Sequence, residues 1–217
     1  MNYSLILFGL IPSFAWLIFY LKEDLHPEPK KLIWETFFTG AVITFVVLKF
    51  QISFNSWLIG LGVMQYSVIS LLGLAAIEEV FKFVAAYLVI SHHRKEFDEP
   101  IDAMIYMVVA ALGFAAVENV AAAFNTPNLA METIALRFVG ATLLHTLASG
   151  TVGYFWAKSA IFRKRRFFWI GLGLAIVLHT VFNYLIIVYE PVVIPTIFLI
   201  LFALAVLYDF EKLKHIE

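Results

Sequence analysis

The segment Ala75-Ala76-Ile77-Glu78-Glu79-Val80-Phe81-Lys82 sets two carboxylates and an ammonium inside a run that is otherwise apolar from Ser67 to Ile90. On a helix turning about 100° per residue, Lys82 lies one turn beyond both glutamates, so the three charges share one face. Three further apolar runs carry polar groups: Glu118-Asn119 in one, His145 with Ser149 a turn on in the next, and His179 with Asn183 a turn on in the last. Two histidines with one or two glutamates form the ligand set of hydrolytic zinc sites, where a water is brought to a pKa near 7 and a second carboxylate serves as general base. The same residues also work without a metal: packed carboxylates repel, one pKa rises, and the pair activates water while His and Asn stabilise the oxyanion. Neither route needs a thiol, and the chain has no cysteine.

Taken singly, each residue has a structural reading. An intramembrane histidine is commonly a hydrogen-bonding core residue, Asn and Ser serve as interhelical glue, and Lys82 neutralises a glutamate. Together they do not, because each charge costs roughly 3 kcal/mol at the bilayer centre on insertion scales, and packing alone does not justify so many at similar depth. Two other activities use parts of the set. A rhomboid-like serine protease would pair Ser149, in Ala148-Ser149-Gly150-Thr151-Val152-Gly153, with His179, leaving both glutamates and Lys82 without a role. A proton-coupled transporter or channel would use Glu, His and Lys as a relay, but the halves of the chain show no corresponding polar positions of the kind that mark transporter repeats.

These residues must be held by membrane helices. The 217 residues are 62% hydrophobic and 14% charged, with a mean hydropathy of +0.90, against about 25% charged in soluble domains. A formal net charge of −1 gives no sign of nucleic acid. A hydrocarbon core needs about 20 apolar residues per crossing. Seven such spans are expected, at Tyr3 to Leu21, Leu32 to Leu48, Ser67 to Ile90, Ala103 to Phe124, Thr133 to Ala157, Phe168 to Val188 and Val192 to Tyr208. Trp57 to Tyr66, broken by Gly60 and Gly62, reads as a short interfacial or re-entrant piece. Lys22, Lys30 and Lys31, then Arg94 and Lys95, then Lys158, Arg163, Lys164, Arg165 and Arg166, then Lys212 and Lys214 fill alternate connections and the tail. By the positive-inside rule the N-terminus faces outside and the C-terminus the cytoplasm.

The expected fold is therefore all-α, a polytopic helix bundle in the cell membrane forming a single transmembrane domain over residues 1–217. Small residues mark close helix approach, and they fall in rows with the polar ones: Ala141, His145, Ser149 and Gly153; Gly171, Ala175, His179 and Asn183; Ala111, Ala115, Asn119 and Ala123. Spans three to six are thus expected to meet around one polar centre, with the first, second and seventh peripheral.

Glu78-Glu79-x-x-Lys82, Gly113-Phe114-Ala115-x-x-Glu118-Asn119, His145 and His179-x-x-x-Asn183, in this order on successive spans, resemble the four motifs of the PrsW family of intramembrane proteases, distant relatives of the type II CAAX prenyl endopeptidases and bacteriocin-immunity proteins. Asp24-x-His26-Pro27-Glu28-Pro29 and Phe97-Asp98-Glu99-Pro100-Ile101-Asp102 sit where that family has acidic, proline-containing connections, so the resemblance covers almost the whole chain. It implies an endopeptidase that cuts a single-pass membrane protein, such as an anti-sigma factor, at its extracytoplasmic side. It implies that Glu78 and Glu79 activate water, that His145 and His179, with Glu79, bind zinc or that the histidines hold the oxyanion, and that Lys82, Glu118, Asn119 and Asn183 support them. Which glutamate is the base, and whether the mechanism is metal-dependent or glutamate-only, stay open at this level.

Overall fold

The computed structural model describes residues 3–189 and 192–214. Among these there is no strand; eight α-helices and one 3₁₀ turn, Pro127–Leu129, carry the chain. The helices are α1 Tyr3–Leu21, α2 Lys30–Gly60, α3 Val68–His92, α4 Asp102–Asn125, α5 Ala130–Val139, α6 Ala141–Ile161, α7 Arg166–Val188 and α8 Val193–Leu213. Five of them, α1, α2, α4, α7 and α8, are long and apolar enough to cross a membrane. α3 and α6 are as long, and what lowers their apolar character is the very set of polar residues singled out above. The protein is a multi-pass membrane protein with a helical bundle fold.

α4 is the central post, buried without a break from Asp102 to Ala116. Its small residues allow this. A Cβ at Gly113 would collide with the carbonyl of Phe37 on α2, and one at Gly40 of α2 with the carbonyl of Ala110. A Cβ at Gly153 of α6 would lie 2.5 Å from the carbonyl oxygen of Ala103. Backbones therefore touch on two sides of α4, the arrangement that replaces hydrophobic driving force inside lipid. α3 starts cleanly because Ser67 caps it, accepting the backbone N–H of Ser70 at 3.3 Å.

The chain departs from three expectations. The apolar run Thr133 to Ala157 is not one span: it breaks at Gly140, whose backbone (φ −107°, ψ −98°) is non-helical and where a Cβ would sit 2.8 Å from the carbonyl oxygen of Leu136. The apolar pattern runs through the break, so hydropathy does not register it. Trp57 to Tyr66 is not a separate piece either. Its first residues continue α2 to Gly60, and the chain reverses only at Gly62 (φ 74°) and Tyr66 (φ 64°). Nor are the first two helices peripheral, since α1 and α2 both pack along α4 and α2 reaches the polar centre.

Candidate active site

α3 presents Glu78, Glu79 and Lys82 on one buried face. Lys82 Nζ donates to Glu79 Oε1 at 2.6 Å, stands 3.8 Å from Glu78 Oε2 and 3.0 Å from His145 Nδ1 on α6. Its other neighbour is the ring of Phe114 on α4, 5.2 Å to the centroid. A fully buried ammonium needs such partners, because an isolated buried charge is far too costly to keep.

Each histidine has one ring nitrogen tied to a carboxylate. His179 Nδ1 donates to Glu79 Oε1 at 2.7 Å, and His145 Nε2 donates to Glu118 Oε2 on α4 at 3.0 Å. Those bonds fix the tautomers; His179 Nε2 keeps a free lone pair, and His145 Nδ1 accepts from Lys82 Nζ at 3.0 Å. Glu78 Oε2 lies 3.7 Å from His179 Nε2 and 3.8 Å from His145 Nδ1. Glu78 Oε1 accepts from Gln51 Nε2 of α2 at 2.9 Å, whereas Oε2 is buried with no hydrogen-bond partner among the described residues. The imidazole rings stand 5.4 Å apart at 77°.

Around this core, Arg137 of α5 reaches in with its fork. Its Nη2 donates to Glu118 Oε2 at 2.9 Å and its Nε to Asn119 Oδ1 at 2.6 Å. Asn119 passes the network on by donating to Thr142 Oγ1 at 2.9 Å. Three carboxylates thus face two cations, which leaves one negative charge in a buried site for a metal ion or a proton to meet.

Glu78, Glu79, Lys82, Glu118, Asn119, His145 and His179 are joined in this network. Asn183 is not: half-buried one turn beyond His179, it makes no side-chain hydrogen bond among the described residues. Ser149 donates to Glu79 Oε2 at 3.5 Å and meets no imidazole nitrogen, which leaves the serine-histidine arrangement unformed. Two residues of the network escaped sequence reasoning, Gln51 and Arg137. Gln51 falls beyond Leu48, where the second span was expected to end, although Thr44, Gln51 and Asn55 form a polar stripe on the helix. Arg137 falls inside the run taken for a single span, although it continues the row of Ala141, His145 and Ser149 backward by one turn.

The donor set fits a divalent metal. One ligand atom from each of Glu78, His145 and His179 lies within 4.8 Å of the others, and all three residues are buried. For bonds of about 2.0–2.1 Å at tetrahedral angles such atoms stand roughly 3.3 Å apart, so the separations from Glu78 are slightly wide. The remaining nitrogen of each histidine donates to a second carboxylate, the outer arrangement usual for metal-ligating histidines.

A helical membrane bundle that gathers glutamates and histidines at one buried point is the architecture of an intramembrane protease. The chain belongs to the PrsW family: the profile described as PrsW family intramembrane metalloprotease matches residues 28–208. It is 30% identical over 191 residues to "Protease PrsW" of Geobacillus kaustophilus, covering 87% of this chain and 82% of that protein. To "Protease PrsW" of Oceanobacillus iheyensis it is 26% identical over 212 residues, covering 96% and 95%. To the protein of that name in Bacillus subtilis it is 26% identical over 187 residues, covering 84% and 83%. No solved structure matches the chain. The protein is a membrane protease.

Proposed function

We propose that this protease is an endopeptidase whose hydrolytic centre is Glu78, Glu79, His145 and His179, and that a divalent metal, zinc by its donor set, is held by Glu78, His145 and His179. The observation that carries the reading is Glu78 Oε2, buried with no hydrogen-bond partner among the described residues and within 3.8 Å of His179 Nε2 and His145 Nδ1; a metal there would displace the Lys82 ammonium from His145 Nδ1. When bound, the metal supplies Lewis acidity, which makes water nucleophilic near neutral pH and polarises a carbonyl. The sequence expectation gave Glu79 to the metal; the engagement of Glu79 Oε1 by both Lys82 and His179 supports giving that place to Glu78 and making Glu79 the group that orients His179.

Hydrolysis then follows from the chain's own groups. With Oε2 kept for the metal, Glu78 takes the proton of the reacting water on Oε1, which keeps a lone pair beside the bond from Gln51, as the water oxygen bonds to the scissile carbonyl carbon. Lys82, 3.8 Å from Glu78 Oε2, offsets the negative charge that gathers on the tetrahedral adduct. Collapse breaks the C–N bond, and the proton on Glu78 passes to the departing amine. Lys82 and Arg137, with Glu118, hold the two imidazoles in place throughout.

The substrate is a single-pass membrane protein, with the anti-sigma-factor type suggested by the family resemblance, cut toward its extracytoplasmic side. The depth of the site supports this. Glu118 lies seven residues, about 10 Å, from the C-terminal end of α4, and His145 is in the second turn of α6. Both are at the end of the bundle away from the basic connections.

The test is to purify the protein in detergent, assay bound metal, and incubate it in liposomes with a panel of single-pass membrane proteins beside Glu78→Gln and Glu79→Gln. The expected result is about one zinc per chain, lost in Glu78→Gln, and cleavage by the wild type alone. Cleavage of no panel member by the wild type, with no metal bound, would overturn the reading. Ser149→Ala should change the rate by less than about threefold, as befits one weak neutral hydrogen bond. Loss of all cleavage in that variant would restore the serine mechanism.

A further inference from the structure

α2 is fastened at two heights to two different helices. Low down, Gly40 lets its backbone rest on Ala110 of α4, and Gly113 of α4 lets that helix rest on Phe37 of α2. Higher up it leans on α3, with the ring of Phe54 filling the space left at Gly73, Phe50 against Phe81 at 5.0 Å between centroids, and Asn55 accepting from Ser70 at 3.4 Å. The outer halves of α2 and α4 therefore part above the glycine crossing. The gap between them is a cavity of about 350 Å³. Its walls are apolar, from Phe45 and Leu48 on α2 to Val117 and Ala121 on α4, and Phe45 and Leu48 are 65% and 53% exposed on the lipid side. Its floor is polar: Gln51, Glu118 and Arg137.

Two of those floor residues already belong to the catalytic network, since Gln51 donates to Glu78 and Glu118 accepts from His145. The crevice thus runs from the lipid to the hydrolytic centre. We infer that it admits the substrate laterally, and that its occupant is an unwound, extended stretch of the substrate's membrane span. This rests on the protease reading above. The chemistry of the crevice selects that occupant over a lipid chain. Peptide backbone that leaves its helix inside a membrane must find new hydrogen-bond partners. Among the described residues, Gln51 Oε1 and the side-chain amide of Asn125 at the outer rim have no partner of their own. An acyl chain has no use for these groups, while apolar walls suit the side chains that a membrane span brings with it.

A photo-crosslinking amino acid is placed at Phe45 or Ala121 in the crevice, and at Ile170 or Leu201 on the lipid-exposed faces of α7 and α8, in full-length Glu78→Gln protein reconstituted with a substrate that the wild type cleaves. Substrate adducts should form from the two crevice positions at no less than about tenfold the yield from the two controls. In otherwise wild-type protein, Ala121→Trp should lower kcat/KM at least about tenfold and Ile170→Trp less than twofold. If the wild type cleaves and adducts form equally at the control positions, or only lipid adducts form in the crevice, the crevice proposal falls and the protease reading stands. If the wild type cleaves no membrane protein, the protease reading falls and takes this proposal with it.

Discussion

Glu79 Oε1 receives the Nδ1–H of His179 at 2.7 Å across 100 positions of chain, and this contact decides which imidazole nitrogen is free for chemistry. With Nδ1 committed, Nε2 keeps its lone pair and faces Glu78 Oε2. The two neighbouring glutamates are thereby separated in role, although they stand side by side in the sequence. On the proposed mechanism Glu78→Gln removes both a metal ligand and the group that takes the water's proton, and should lower kcat by at least about 10²–10⁴-fold. Glu79→Gln should cost about 10–100-fold, the usual effect of losing a carboxylate behind a ligating histidine. Rate measurements on the two variants check the assignment, and the opposite order of losses would exchange the roles.

Lys82 links Glu79 to His145 in a wholly buried position. Replacing it by Met leaves Glu79 as an uncompensated buried charge, which should destabilise the fold by about 3–5 kcal/mol. Thermal unfolding in detergent should show the loss, and the double variant Lys82→Met, Glu79→Gln should recover a large part of it. A double variant no more stable than Lys82→Met would mean that the pair is not the source of the cost.

Arg137 serves two acceptors at once, Glu118 Oε2 and Asn119 Oδ1. Its planar fork suits this, and a lysine ammonium has no equivalent geometry. Arg137→Ala should reduce turnover about tenfold by releasing Glu118 from its place behind His145, by analogy with other outer carboxylates. Arg137→Lys should restore less than half of that loss on a logarithmic scale. Full rescue by lysine would show that only charge matters there.

At the opposite end of the molecule, the loop between α1 and α2 is clasped to the start of α4. Tyr106 O–H donates to Glu28 Oε2 at 2.6 Å, His26 Nδ1 pairs with Glu99 Oε1 at 2.6 Å, and Asp102 Oδ2 accepts the backbone N–H of Asp98 and of Glu99. Burial, then the neighbouring carboxylates Asp102 and Asp24, push the Glu28 carboxyl up to about 8 from an ordinary 4.5. Because the folded value is the higher one, the stability that Glu28 contributes is complete below about pH 4.5 and is lost as pH rises to about 8. Unfolding midpoints in detergent should fall over that interval, and Glu28→Gln should flatten the decline. An equal slope in the variant would assign the pH dependence to other groups.

Hydropathy marked the ends of α1 at Leu21 and of α7 at Val188, but α2 runs twelve residues past the expected end at Leu48 and α6 starts eight residues after Thr133. The polar residues of α3, α4, α6 and α7 were legible because a charge in an apolar run has no cheap explanation. What was hidden follows the same logic. The break at Gly140 leaves the apolar pattern intact, so Arg137 was absorbed into a span that does not exist as one helix. Gln51 belongs to a stretch of α2 with Lys49, Ser53 and Asn55, polar enough to look like a connection, and only the full length of that helix carries it to Glu78. The choice between Glu78 and Glu79 depends on which carboxylate oxygen each histidine reaches, and that lies in side-chain direction, which residue spacing does not encode.

The three charges of α3 also bear on how the protein is made. Lys82 pairs with Glu79 inside the helix itself, but the charge of Glu78 is left over there, at a cost of roughly 3 kcal/mol on insertion scales. Its relief comes late, for His145 is 63 positions beyond Lys82 and His179 is 100 beyond Glu79. At about 5–20 residues per second, the ribosome needs several seconds to deliver those partners. During that interval α3 must be sheltered by the insertion machinery or by the helices already made, α1 and α2. Assembly of the polar centre is thus also the step that releases α3 into the bilayer, and a chain that stops short of α7 should remain with the insertion machinery or be degraded.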